Sequence, residues 1–150
     1  MVVLKGKIAA GENAAHKHLP KQLPVFVRQY GELCGAYAGT INVEVESSFD
    51  CLTIDFKSDP FEVAPGEWHR FEFVRVWFEF PLGVKKKAWI YQPYGHHFRQ
   101  GKDKYLEILV SEELEGVSGG KDCQIHVLND HFGSESTSIH YVNRFDRSGA

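Results

Sequence analysis

The sequence predicts an all-β domain carrying one or two short helices, on three observations. Aromatic residues make up 13% of the chain, with 11 Phe, 6 Tyr and 3 Trp, and bulky aromatics suit the pleated, half-buried surface of strands. Several short runs are rich in apolar residues with a period of two, as in Arg70 to Phe80. Turn signals such as Asp59-Pro60, Pro65-Gly66 and Gly119-Gly120 punctuate those runs, the pattern of a barrel or a sandwich.

Taken in order, residues 2–10 read as a strand and 11–19 as a polar loop, Gly11-Glu12-Asn13-Ala14-Ala15-His16-Lys17-His18-Leu19. Leu23, Phe26, Val27, Tyr30 and Leu33 fall at helical spacing and predict an amphipathic helix over about 22–34. Pro20 and Pro24 stand near its start, where a missing N–H is tolerated, and Gly35 serves as its stop. Residues 40–46 and 51–57 read as two strands of a hairpin around Ser47-Ser48-Phe49-Asp50.

Arg70 to Phe80 is the strongest strand. Phe71 and Phe73 share one face, while Val74, Val76, Phe78 and Phe80 share the other. Apolar residues on both faces make this strand central or barrel-closing, and the change of face near Phe73–Val74 predicts a bulge. Leu82-Gly83 turns into a strand over 86–92 that begins beside Lys85-Lys86-Lys87. A polar loop covers 94–104, a strand 105–110, a short helix about 111–116, and a last strand 123–128 follows Gly119-Gly120-Lys121-Asp122.

With 150 residues the chain is read as one domain, 1–128, long enough to bury a core without disulfides or a metal. Residues 129–150 form a polar C-terminal tail rich in Ser, Asn, Asp and Gly. Its Ile139, Tyr141, Val142 and Phe145 leave two readings, a mobile tail or a segment docked on the barrel or on a neighbouring subunit.

A net charge of −3 with mixed signs argues against a nucleic-acid binder and against a membrane-surface protein. Cys34, Cys51 and Cys123 form no C-x-x-C pair and read as reduced, packed thiols. No apolar run approaches the ~18 residues that cross a bilayer. Met1 to Gly6 lacks the plan of a signal peptide, so a cytoplasmic location is expected. There is no G-x-S-x-G elbow, P-loop or dinucleotide fingerprint.

The most informative stretch is Tyr37-Ala38-Gly39-Thr40-Ile41-Asn42-Val43-Glu44-Val45. In an extended chain Thr40 and Asn42 point to one face and aim a hydroxyl and an amide oxygen at one point. Neutral oxygens of this kind suit a hard cation whose charge is balanced by phosphates. The alternative is an ordinary edge strand after a turn.

Gly39-Thr40-Ile41-Asn42 resembles the G-T-[IL]-N core of the archaeal CTP-dependent riboflavin kinases. The resemblance is collinear over about residues 4–128. Leu4 to Gly11 resembles that family's first strand and phosphate loop, Tyr105 to Val110 its "LEIIAP" strand, and Val117 to Val127 its closing segment. It implies a six-stranded cradle-loop-like β-barrel that makes FMN from riboflavin and a nucleotide. It implies Mg2+ held by Thr40 and Asn42, with the nucleotide contacted by Gly39 and by Gly11, Glu12, Asn13, Ala14, Ala15, His16 and Lys17. It also implies flavin contacts at His96 and Glu107. Glu107 reads equally as a surface carboxylate.

Three departures weigh against an intact family site. Of three alternating loop glycines only Gly11 is kept, with Asn13 and Ala15 in the other places, and Ala does not tolerate left-handed geometry. His96 stands where the family has threonine. Glu112, Glu113, Leu114 and Glu115 replace a segment that contacts nucleotide and ends in arginine, and three carboxylates would repel a triphosphate.

Two further readings therefore stand beside the kinase. One is a non-catalytic module on the same barrel that binds a nucleotide, a flavin or another small ligand. The other is a metal enzyme of changed chemistry that uses zinc or another transition metal. It would draw on His16, His18, His96 and His97, with His126, His131 and His140 near the C-terminus, although no spacing here is diagnostic.

Overall fold

The computed structural model describes residues 2–9, 14–46, 52–93 and 105–128. Its elements are β1 (Val2–Ile8), α1 (Ala14–Gln29), a 3-10 turn (Gly31–Leu33), β2 (Thr40–Val45), β3 (Phe56–Lys57), β4 (Phe61–Ala64), β5 (Glu67–His69), β6 (Phe71–Glu79), β7 (Lys85–Pro93), β8 (Tyr105–Val110) and β9 (Asp122–Val127). Six strands in the order β6-β7-β8-β2-β1-β9 form a sheet that closes when β9 pairs β6. Every pairing is antiparallel. Among the described residues the fold is thus mostly β with one α-helix, and it forms a closed six-stranded barrel as expected.

Side-chain alternation divides each strand between the barrel interior and its outer wall. Leu4, Ile8, Val43, Val45, Val74, Val76, Phe78, Ile90, Ile108 and Ile125 fill the interior. A second apolar cluster lies on the outer wall, where Leu19 and Phe26 of α1 cover Phe71, Phe73, Trp89, Tyr91 and Leu109. Phe26 meets Phe71 and Phe73 edge-on, with ring centroids 5.2 and 5.3 Å apart, a favoured aromatic arrangement.

This two-layer plan explains why β6 is apolar on both faces. Its register with β7 runs without a shift from Phe71↔Pro93 to Glu79↔Lys85, so the expected bulge is absent. Phe71 and Phe73 belong to the wall under α1, and the apolar face changes where that cover ends. The second edge of β6 is divided. β3 pairs it at Glu72 and Phe73, and β9 pairs it from Val76 to Glu79. Between them the Arg75 N–H donates to Asp55 Oδ2 at 2.6 Å and the Arg75 carbonyl accepts from Leu128 N–H at 3.1 Å. No ladder group is wasted at the division.

The structure corrects four further expectations. The loop expected over 11–19 gives way to helix at Ala14, and α1 ends at Gln29 rather than near residue 34. Alanines at its start favour helix. Pro20 and Pro24, four apart, lie inside it with both rings exposed. Each removes one backbone donor, and burial of Leu19 and Phe26 on the opposite side holds the helix regardless. Beyond Gln29 the 3-10 turn delivers Leu33 into the outer cluster, and Gly35, at φ 84°, ends it.

The hairpin of 40–46 with 51–57 does not form, because β1 and β8 occupy both edges of β2. Only Phe56 and Lys57 are extended as β3, and they pair β6. The helix expected over 111–116 is absent. Leu114 and Val117 fold back onto the barrel cluster and Gly116 turns at φ 73°. Pro65-Gly66, expected as a turn, joins an additional hairpin of β4 and β5.

Gly6 is where β1 fits between two neighbours. It faces the interior, paired to Val45 on one side and Cys123 on the other. A Cβ there would stand 2.6 Å from the Glu44 carbonyl oxygen and 2.9 Å from Val43 Cγ1. Gly6→Ala is expected to lower unfolding free energy by about 1–3 kcal/mol through overpacking. Urea denaturation measures it, and an unchanged midpoint would mean that β1 shifts without cost.

Candidate functional site

The outer wall between β2 and β8 gathers three of the residues that the sequence singled out, Thr40, Asn42 and Glu107. Ile41, Val43 and Val45 turn inward, which leaves Thr40, Asn42 and Glu44 outward on one line. On β8 the inward set is Leu106, Ile108 and Val110, so Tyr105, Glu107 and Leu109 face out. The register sets Thr40 against Leu109, Asn42 against Glu107 and Glu44 against Tyr105. Asn42 and Glu107, drawn from separate motifs, are therefore direct cross-strand neighbours, with Thr40 two residues along the same face.

Backbone contacts tie this wall to the start of the loop before α1. Ala9 N–H donates to the Asn42 carbonyl at 2.8 Å, so the chain leaves β1 beside Asn42. Gly39 is buried, its N–H bonded to the Tyr37 carbonyl at 2.9 Å, and Tyr37 N–H in turn donates to Val110 O at 3.0 Å. Gly39 thus seats the first residue of β2 against the end of β8.

The flanks are polar and paired. The Tyr105 phenol is pushed up by its hydrogen bond to Glu44 and by that carboxylate's charge. Tyr91 donates its hydroxyl to Gln22 Oε1 of α1 at 2.8 Å. Burial pushes the Tyr91 phenol far up, and the Glu107 charge adds to the effect. Continuing the β7–β8 register one step past Ile90↔Ile108 brings Tyr91 level with Glu107. Glu107 therefore sits between Asn42 on one side and the Tyr91–Gln22 contact on the other.

Two of the three carboxylates after β8 are engaged by neighbours. Glu112 pairs with Lys86 at 2.8 Å. The Tyr37 phenol is pushed up by burial and by its hydrogen bond to Glu113. Glu115 is exposed. The segment is less uniformly repulsive than its sequence implies, because a lysine pairs with one carboxylate and a phenol donates a hydrogen bond to another.

Gly11, Glu12, Asn13 and His96 lie outside the described residues, as do His97 and the 129–150 segment. Ala14, Ala15, His16 and Lys17 open α1 rather than continuing a loop. Of the remaining histidines, His126 bonds Glu79 at 2.7 Å and His69 bonds Glu67 at 2.9 Å. Among the described residues no three His, Cys, Asp or Glu side chains stand together in a way that could hold a metal ion. The oxygens of Thr40, Asn42 and Glu107 do have the chemistry of a site for a hard cation. Cys123 lies in the barrel core, where burial first and Asp122 second push its thiol up to about 12, as a packed thiol requires, whereas Cys34 is exposed, contrary to expectation.

Sequence reasoning missed a polar cluster at the far end of α1. Glu32 accepts from Arg75 Nε at 3.0 Å and from Trp89 Nε1 at 2.9 Å, and Arg75 Nη2 also bonds it. Asp55, fully buried, lies 3.9 Å from Arg75 Nη1. The signal was a lone arginine in the most apolar strand, since a charge in such a place requires a partner. Burial alone would push the Glu32 carboxyl up, but hydrogen bonds from Arg75 and Trp89 outweigh it and hold the group below its ordinary 4.5.

No family model matches this chain, and no curated protein matches it. The class that fold and wall define is an antiparallel six-stranded barrel with one covering helix and a polar outer face on β2 and β8. Among the described residues no helix is long and apolar enough to cross a membrane.

Two outcomes are expected for the Glu32 cluster. A carboxylate held low in the folded state stabilises it above the ordinary pKa and loses that contribution as pH falls through the lowered value. Unfolding free energy should therefore decline as pH drops below 4.5, and Glu32→Gln should flatten that decline in denaturation series. Arg75→Met, which leaves two carboxylates without their cation, should cost about 3 kcal/mol at neutral pH. A thermal or urea midpoint equal to that of the native protein would contradict it.

Proposed function

We propose that the chain is a nucleotide-dependent phosphotransferase of the riboflavin-kinase type, with its site on the outer wall of β2 and β8. The observation that carries this reading is the juxtaposition of Thr40, Asn42 and Glu107, with the 10–13 segment beginning beside Asn42. Phosphoryl transfer asks the protein mainly for position and charge: a cation near the phosphates, donors around them and an acceptor hydroxyl in line. Mg2+ carried in with the nucleotide would neutralise phosphate charge, held by the Thr40 hydroxyl and the Asn42 amide oxygen. Gly39, buried in its turn, would set the start of β2 so that Thr40 presents its hydroxyl, while Gly11 to Lys17 would approach the phosphates from the other side. Glu107, with the His96 region, would orient the flavin's ribityl hydroxyl. In the reaction that oxygen bonds the terminal phosphorus as the bond to the nucleoside diphosphate breaks, and the hydroxyl proton is released.

One observation favours a second reading, a binding module without turnover. A phosphate loop with three alternating glycines would extend to position 15, and Ala15 is helical. Only 10–13 separate Ala9 from α1, a short span for wrapping a triphosphate.

Purified protein incubated with riboflavin, Mg2+ and each nucleoside triphosphate in turn tests the first reading, with FMN separated by chromatography. The kinase reading expects FMN with CTP. It expects Asn42→Ala to lower turnover by about 100-fold while the urea midpoint changes little, because Asn42 is half-buried on the outer wall. Full activity in that variant would sink the cation assignment. Heat of binding for nucleotide or riboflavin without FMN formation would establish the module instead.

A further inference from the structure

The outer wall of β1, β9 and β6 breaks the rule that the uncovered faces of this barrel follow. Away from α1, the outward side chains of β1, β2 and β9 include Lys5, Lys7, Glu44, Asp122 and Gln124, as solvent contact requires. Across one row, however, Val3 pairs His126 and His126 pairs Trp77. Val3 is 43% exposed and Trp77 40% exposed, while His126 between them is 7% exposed and bonded to Glu79. Val3 and Trp77, on either side of the buried His126, leave this row partly apolar on an open wall, a surface that an apolar segment can cover.

The chain itself supplies a candidate at this place. β9 ends at Val127, one residue past His126, and the Leu128 N–H is fixed to the Arg75 carbonyl two residues from Trp77. The segment 129–150 thus begins at the edge of the patch and carries Ile139, Tyr141, Val142 and Phe145 in an otherwise polar sequence. Its 22 residues reach roughly 70 Å when extended, ample for a return over three strands. We infer that the Val3–His126–Trp77 row is the docking surface for the chain's own C-terminal segment, with the 139–145 apolar residues as its anchors. The segment covers the wall on which β6 and β9 close the barrel, as α1 covers the opposite part of β6.

Tryptic cleavage after Arg144 and Arg147 in the full-length chain, followed by mass spectrometry, tests this. Docking withholds those bonds from the protease in proportion to the docked population. Ile139→Ser/Tyr141→Ser/Val142→Ser/Phe145→Ser should speed cleavage about tenfold, the change that ~1.4 kcal/mol of docking energy gives. Val3→Gln/Trp77→Gln, at exposed positions that do not disturb the core, should speed it equally. The combined variant should be cut no faster than either, the mark of two changes that remove one interaction. The inference is overturned if the native chain is cut as fast as the serine variant, or if the wall variant leaves cleavage unchanged. Protection that rises with protein concentration also overturns it, since a second copy would then be the cover.

Discussion

The double-sided burial of β6 is the constraint on which the rest depends. One face supplies Val74, Val76 and Phe78 to the barrel interior, the other Phe71 and Phe73 to the layer under α1. No other strand serves both apolar clusters so heavily while also holding three strand partners. Closure of the barrel, attachment of the helix and seating of β3 therefore share one backbone. Arg75 sits at the junction: Glu32 accepts from its guanidinium and Asp55 from its backbone N–H, which ties the 3-10 turn, the β3 approach and the wall together. The cost of burying those charges is offset only while all of them stay together.

That constraint also explains which parts of the fold were legible in sequence. The strands at 105–110 and 123–128, and the turn at Leu82-Gly83, could be read because alternation and turn residues act locally. The two-faced character of Arg70 to Phe80 was visible, but its cause was not. A bulge and a helix packed on one end of a flat strand produce the same change of apolar face, and only the unbroken register with β7 separates them. The start of α1 is hidden because Pro20 and Pro24 are boundary signals in sequence, whereas tertiary burial of Leu19 and Phe26 overrides the missing donors. The pairing of 40–46 with 51–57 failed for a topological reason, since both edges of β2 go to distant strands.

The candidate site was legible in part for the same kind of reason. Thr40 and Asn42 on one face follow from strand periodicity alone. That Glu107 stands opposite Asn42 depends on the β2–β8 register, which no local pattern encodes, and the resemblance supplied the association without the geometry. The engagement of Glu112 by Lys86 and of Glu113 by Tyr37 was equally hidden, because both partners arrive from elsewhere in the chain. Charges that look repulsive along a sequence can be settled across a fold.

The packed barrel interior has a consequence for how such a protein can change over time. Its inward residues are almost all aliphatic or aromatic and leave chemistry to the outward positions of the same strands. Along β2, Val43 serves the fold and its immediate neighbour Asn42 serves the wall. Substitutions at alternate positions are therefore nearly independent in their effects. Changes at Thr40, Asn42, Glu44, Tyr105 and Glu107 can thus remodel the wall of β2 and β8 with the interior set left intact, whereas outward Leu109, buried with Leu19 and Phe26, stays bound to the fold.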